Sequence, residues 1–123
     1  MQNSSPKADR KPIQLVEPGR VQSLCEQHPN VLVIDVRDHA DHAAVRLPHS
    51  FCVPLLELQQ DSFIDEHAGD PSRPLLLVCQ LGKRAQMAAE HLDGKLENPL
   101  YVLAGGLNNC IDAGVTLIYG QAQ

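Results

Sequence analysis

Two continuous apolar runs constrain the fold of this chain more than any other feature. They cover residues 31–36 and 75–79, consist mainly of Val, Ile and Leu, and do not alternate polar with apolar positions. Such runs suit strands that are covered on both faces, as in a parallel sheet. Shorter strand candidates lie at 50–53, at 100–103 and, as an edge strand, at 13–16.

Helical spacing lies between these strand candidates. After Pro18, residues 21, 24, 25 and 28 follow the spacing of one helix face, and residues 85–96 do the same, with Gly94 a candidate helix end. Shorter helices are expected at 38–44 and 55–60, and a last one at 105–113. Strands that alternate with helices predict an α/β domain with a mostly parallel sheet. Its ligand site is expected beyond the carboxyl ends of the strands.

Length and composition agree with one globular domain. The chain has 123 residues, of which 43% are hydrophobic and 3% aromatic, so the core must be aliphatic. Its net charge of −5 argues against general nucleic-acid binding. Residues 1–12 are polar and resemble neither a signal peptide nor a membrane span. We therefore expect a disordered tail at 1–12, a domain at 13–119, a cytoplasmic location and no membrane partner.

The four cysteines are Cys25, Cys52, Cys79 and Cys110. None forms a Cys-x-x-Cys pair, and no Cys/His pattern has zinc-ligand spacing, so we predict thiols in a reducing compartment and no metal. Cys25 and Cys52 are expected to be packing residues. For Cys110, the sequence leaves two alternatives, a packing residue or a resolving thiol.

Cys79 stands out because it ends an apolar strand and precedes a glycine-bearing loop. Gly82, Lys83 and Arg84 follow it, and a helix is expected to begin near Arg84. The thiolate is the nucleophilic form of cysteine, and loop N–H groups, a helix N-terminus and nearby cations stabilise it. A buried cysteine with no chemical role is the alternative. The combined features favour a reactive thiol.

Four segments, in order along the chain, resemble elements of rhodanese-like domains. The loop from Cys79 to Arg84 resembles the family's active-site loop, in which Cys, two variable residues, Gly and one variable residue precede Arg, Ser or Thr. The sequence at 34–37 resembles its Asp-Val-Arg element, 47–54 its Ile-Pro-Gly-Ala segment and 102–106 its Leu-x-Gly-Gly element. The resemblance extends over residues 13–117.

This resemblance implies a five-stranded, mostly parallel sheet flanked by helices on both sides. Cys79 would be the catalytic nucleophile, taking a sulfane sulfur from a donor such as thiosulfate, or from a protein persulfide, and passing it from a persulfide to a thiol or cyanide. The substrate-binding cradle would comprise Gln80, Leu81, Gly82, Lys83, Arg84 and Ala85, largely through backbone amides. Asp35 and Arg37 would support the site, or form a structural ion pair. No cofactor is expected.

The chain also departs from the family pattern. Val45 and Arg46 replace a Gly-His pair, Cys110 replaces a Trp, and Ala85 stands where many members place a hydroxyl. A low-turnover rhodanese-like module that binds or regulates a partner, or that carries sulfur, is an alternative function. Phosphatase or arsenate reductase activity is less favoured, because those loops place five residues between Cys and Arg, whereas four separate Cys79 from Arg84.

Overall fold

The two apolar runs form neighbouring central strands of the sheet. The computed structural model describes residues 12–60 and 70–120. Strand β2 is Leu32–Asp35 and strand β5 is Leu75–Val78. They pair in parallel from Leu32 opposite Leu75 to Asp35 opposite Val78. All four β5 side chains are buried, as expected for a strand covered on both faces.

Strands and helices alternate through the described residues, as the sequence predicts. Between and around the two central strands, the chain forms β1 (Gln14–Val16), a 3-10 turn (Pro18–Arg20), α1 (Val21–Gln27), α2 (His39–Ala44), β3 (Val45–Arg46), β4 (Phe51–Cys52), α3 (Leu55–Leu58), α4 (Lys83–Asp93), β6 (Leu100–Leu103), α5 (Gly106–Asp112) and β7 (Ile118–Tyr119). In this part of the chain, the main sheet has five parallel strands in the order β1-β6-β5-β2-β4. The predicted fold class is confirmed.

Each face of the sheet carries its own apolar cluster. On one face, α4 packs four buried side chains, from Ala85 to Leu92, against the inward-facing side chains of β2 and β5. On the other face, α1 and α5 pack with Leu76 and Val78 of β5. Helices therefore cover both faces, which explains why the central strands lack polar alternation.

Two features of the fold differ from the sequence prediction. β3 and β7 form a short antiparallel ribbon, with Val45 opposite Tyr119, that the sequence does not predict because two-residue strands have no detectable periodicity. The Arg46 guanidinium fastens this ribbon, since it donates to the Gly120 carbonyl at 2.9 Å. The helix predicted at 55–60 is also shorter and ends at Leu58.

The predicted tail lies outside the described residues, except for residue 12. Residues 61–69 and 121–123 are also outside them. None of the helices in the described ranges is long and apolar enough to cross a membrane.

Candidate active site

Cys79 lies directly after β5, the middle strand of the five, at the carboxyl edge of the sheet. Its residue is 1% exposed. The Sγ atom accepts the backbone N–H of Gly82 at 3.0 Å and that of Ala85 at 3.3 Å. The sulfur therefore lies in a concave turn of backbone N–H groups, which carry partial positive charge.

The turn from strand to helix creates this arrangement. Gly82 has φ +103°, a left-handed conformation that other residues adopt only with strain, and it precedes the first residue of α4. The Gln86 N–H closes the first helical turn on the Gly82 carbonyl at 3.0 Å. The first amides of a helix have no partner within the helix, and that of Ala85 bonds the sulfur instead. The positive end of the α4 dipole is thus directed at Sγ.

A second helix, α5, is hydrogen-bonded to the backbone of the cysteine loop. The first turn of α5 donates two backbone bonds to the loop: Leu107 N–H to the Cys79 carbonyl at 2.9 Å, and Asn108 N–H to the Gln80 carbonyl at 3.1 Å. Gly106 makes this approach feasible. With φ +68°, a Cβ there would lie 2.4 Å from the carbonyl carbon and oxygen of Gln80, closer than such atoms can stand.

Arg37 links the loop to the end of β2. The residue is 1% exposed, and its Nη2 pairs with Asp35 Oδ2 at 2.9 Å while Nε bonds Oδ1 at 3.0 Å. Its Nη2 also donates to the Val45 carbonyl, and its Nη1 donates to Gln80 Oε1 at 3.0 Å. The Nε2 of Gln80 donates in turn to Asn108 Oδ1. A continuous set of polar contacts therefore runs from Asp35 to α5.

Two cations follow Gly82 in the chain. The Lys83 side chain is exposed and Arg84 is half-buried. Among the residues that the structure describes, neither has an acidic partner within ion-pair distance. Two positive charges therefore lie next to the cysteine loop, and no carboxylate of the described residues pairs with them.

Comparison with known proteins identifies the family. The family model of the rhodanese-like domain matches residues 17–113. The chain belongs to the rhodanese-like domain family. The predicted resemblance is thus confirmed over most of the chain.

Relatives of known name agree with this rhodanese-like assignment. The adenylyltransferase and sulfurtransferase MOCS3 of Drosophila persimilis is 32% identical over 106 residues, which are 79% of this chain and 24% of that protein. The chain thus spans about a quarter of the length of the curated relatives it matches. A rhodanese homolog from the extremely thermophilic bacterium Thermus thermophilus is 38% identical, with a TM-score of 0.57, over 78% of this chain and 99% of that one. A thiosulfate sulfurtransferase from Pseudomonas aeruginosa shares the fold with a TM-score of 0.78 at 23% identity, over 90% of this chain and 21% of that one.

The predicted site residues of this rhodanese-like domain occupy different environments. Of the predicted cradle, Gly82 and Ala85 donate to the sulfur through their backbones. The Gln80 side chain instead bonds Arg37 and Asn108. Leu81 is 67% exposed, so it leaves an apolar side chain at the surface of the loop. Asp35 and Arg37 form the expected ion pair, which reaches the loop through Gln80.

Two residues of the site were not predicted from the sequence. Asn108 is a polar residue in a helix, and no pattern distinguishes it from Asn109. The sequence predicts a helix at 105–113, and α5 begins at Gly106, but the contact of Gly106 with the cysteine loop is not part of that prediction. Two consecutive glycines are also the signal for close backbone approach, which is what Gly106 makes to the loop.

The other three cysteines lie in surroundings that disfavour the thiolate. Burial raises the pKa of Cys110, which packs in the cluster on the opposite sheet face from Cys79. Burial, together with the Asp35 charge, raises the pKa of Cys52 to about 11, and the Cys52 thiol donates to the Arg37 carbonyl at 3.2 Å. Burial and the charge of Glu26 raise the pKa of Cys25. The burial of Cys110 on the opposite face of the sheet argues against a role for it as a resolving thiol.

The histidines of α2 have ordinary polar contacts. His39 pairs with Glu57 at 3.6 Å on the surface, and His42 Nε2 lies 3.1 Å from Ser50 Oγ. Within 12–60 and 70–120, no three His, Cys, Asp or Glu side chains are grouped as a metal site would require.

Proposed function

We propose that this rhodanese-like domain is a sulfurtransferase, which moves a sulfane sulfur from a donor such as thiosulfate to a thiophilic acceptor through a Cys79 persulfide. The main support is the position of Sγ, 3.0 and 3.3 Å from the N–H groups of Gly82 and Ala85. Backbone N–H groups and the positive end of a helix dipole stabilise a thiolate, which is the nucleophilic form of cysteine.

The proposed reaction has two steps. The Cys79 thiolate attacks the outer sulfur of thiosulfate, so a new S–S bond forms, the S–S bond of thiosulfate breaks, and sulfite leaves with the electron pair. A thiol or cyanide then attacks the outer sulfur of the persulfide and regenerates the thiolate. The same N–H groups serve both steps, because each step begins or ends with negative charge on Sγ.

The charged residues in and around the cysteine loop have separate proposed roles. Lys83 and Arg84 attract an anionic donor to the mouth of the loop, since no described carboxylate pairs with them. The Asp35–Arg37 pair braces the loop through Gln80.

The proposed donor is a small sulfur-containing anion or a protein persulfide. The proposed location is the cytoplasm, because a reducing medium keeps Cys79 a thiol.

Two further observations favour this proposal. The names of the MOCS3 relatives include sulfurtransferase. Because the chain matches only 24% of the first of them, we extend to this chain only the sulfur transfer, for which a cysteine loop is needed. The gap of four residues between Cys79 and Arg84 also favours a single sulfur atom over a tetrahedral phosphate, which needs a wider loop.

An intact mass measurement tests the proposal. Wild-type protein incubated with thiosulfate is expected to gain the mass of one sulfur atom and to lose it on addition of cyanide, with release of thiocyanate. Cys79→Ser is expected to gain none. Cys52→Ser is the matched control, because it removes a thiol from the edge strand β4 and leaves the sequence of the cysteine loop unchanged. A Cys79→Ser protein that still takes up sulfur and forms thiocyanate at the wild-type rate contradicts the proposal.

A further inference from the structure

The contacts of the Gln80 side chain assign a function to a residue outside the cysteine loop. Both polar atoms of that side chain are engaged: Oε1 accepts from Arg37 Nη1 at 3.0 Å, and Nε2 donates to Asn108 Oδ1. The backbone carbonyl of Gln80 also accepts the Asn108 N–H at 3.1 Å. Asn108 therefore holds Gln80 at two points, one on the main chain and one on the side chain.

Gln80 directly follows the proposed nucleophile. The orientation of its peptide group therefore affects the direction in which the following backbone N–H groups point. The Cys79 carbonyl is fixed by the Leu107 N–H at 2.9 Å, and the Gln80 carbonyl by that of Asn108. With both carbonyls bonded to α5, the loop backbone leaves the N–H groups of Gly82 and Ala85 for the sulfur. A change in the orientation of Gln80 would rotate these peptide groups and weaken the N–H contacts with Sγ.

We propose that Asn108 is a positioning residue for Cys79, acting through the Gln80 side chain, which it holds against Arg37. This inference rests on the proposed role of Cys79 as the sulfur carrier. Asn108 is on the surface, but the chain of contacts that it completes ends at the buried Asp35–Arg37 pair, which lies at the end of β2. The loop is thereby held between a strand end on one side and a helix N-terminus on the other.

A double-mutant cycle tests whether Asn108 acts through Gln80. The four proteins are wild type, Gln80→Ala, Asn108→Ala and the double variant. The readout is the rate at which iodoacetamide alkylates Cys79, followed by peptide mass spectrometry across a range of pH. Losing one hydrogen bond to the loop is expected to slow Cys79 alkylation near neutral pH by about two- to tenfold in Asn108→Ala. In the Gln80→Ala background the same change is expected to have almost no further effect, because the contact is already gone.

Asn109→Ala is the matched control. Asn109 is the next residue of α5, and its Nδ2 donates to the Ala104 carbonyl at 3.0 Å, outside the segment from Cys79 to Ala85. Its loss is expected to lower the thermal unfolding midpoint and to leave the pH profile of Cys79 alkylation unchanged. In steady-state assays with thiosulfate, Asn108→Ala is expected to lower kcat and leave KM within about twofold, since the hydrogen bonds of Asn108 described above are with Gln80 and not with Lys83 or Arg84.

The inference is overturned if Asn108→Ala slows alkylation equally in both backgrounds, or if it lowers only the unfolding midpoint, as Asn109→Ala is expected to do. Alkylation needs no sulfur donor. A positive cycle in a protein that no donor converts to a persulfide would therefore refute the proposed sulfurtransferase activity and support the positioning role of Asn108.

Discussion

Replacing Gly106 with alanine tests the close approach between α5 and the cysteine loop. A Cβ at this position would lie 2.4 Å from the Gln80 carbonyl group and 2.6 Å from the Cys79 carbonyl oxygen, and neither is the end of a flexible side chain. The left-handed φ of +68° costs an alanine about 1–2 kcal/mol. Overpacking against backbone adds about 1–3 kcal/mol. We therefore expect Gly106→Ala to reduce the free energy of unfolding by about 2–5 kcal/mol.

Gly114→Ala separates the two contributions to this loss. Gly114 has a similar φ of +76°, but its Cβ would have no atom within 4 Å, so only the conformational cost of about 1–2 kcal/mol applies. Urea unfolding gives the free energy of unfolding of both variants. It is followed by far-ultraviolet circular dichroism, because the chain has no Trp for fluorescence. Gly106→Ala is also expected to load sulfur from thiosulfate more slowly than Gly114→Ala. If the two variants lose the same stability within about 0.5 kcal/mol, the approach of α5 is not as close as the structure places it.

Three further predictions concern buried or half-buried groups around the site. Arg37→Met leaves the Asp35 carboxylate buried without its partner, so we expect a loss of about 3–5 kcal/mol in urea unfolding, of which the additional change Asp35→Leu restores a large part. Because the pKa of Cys52 is raised to about 11, peptide mapping at about pH 8 is expected to find Cys52 almost unmodified by iodoacetamide, with the rate increasing towards about pH 11. Burial lowers the pKa of His42 below 6.5, so the unfolded chain binds the proton more tightly and stability is lost as the pH falls below about 6.5. His42→Gln should flatten that pH dependence, and an unchanged slope contradicts the assignment to His42.

The fold could be predicted from the sequence wherever a pattern extended over enough residues. The runs at 31–36 and 75–79 contain β2 and β5, and Gly94 does follow the last residue of α4. These elements follow from local rules, because burial on both faces and helix-ending glycines leave a signal along the chain. The β3–β7 ribbon leaves no such signal, since its pairing joins residues far apart in the sequence.

The site was predictable where its residues are consecutive in the chain. Cys79, Gly82 and the start of α4 lie within one strand–loop–helix unit, and the N–H groups of Gly82 in the loop and Ala85 in α4 bond the sulfur. The role of Gln80 was not predictable at the level of its side chain, because its partners Arg37 and Asn108 are 43 and 28 residues away. Which side chains meet across the carboxyl edge of a sheet depends on strand order, and no local pattern encodes it.

We expect the missing hydroxyl at Ala85 to matter less than the family pattern suggests. The backbone N–H of Ala85 itself bonds Sγ at 3.3 Å, and this contact depends on the position of α4 rather than on the side chain. The position of α4 depends on the turn at Gly82, and the loop before that turn is fixed by the first turn of α5 through the carbonyls of Cys79 and Gln80. Two helix N-termini thus act on one short loop. The first bonds the sulfur and the second bonds the carbonyls, so the N–H groups face the sulfur without help from a hydroxyl. The reactivity of Cys79 should therefore respond more strongly to changes at Gly106 than to Ala85→Ser.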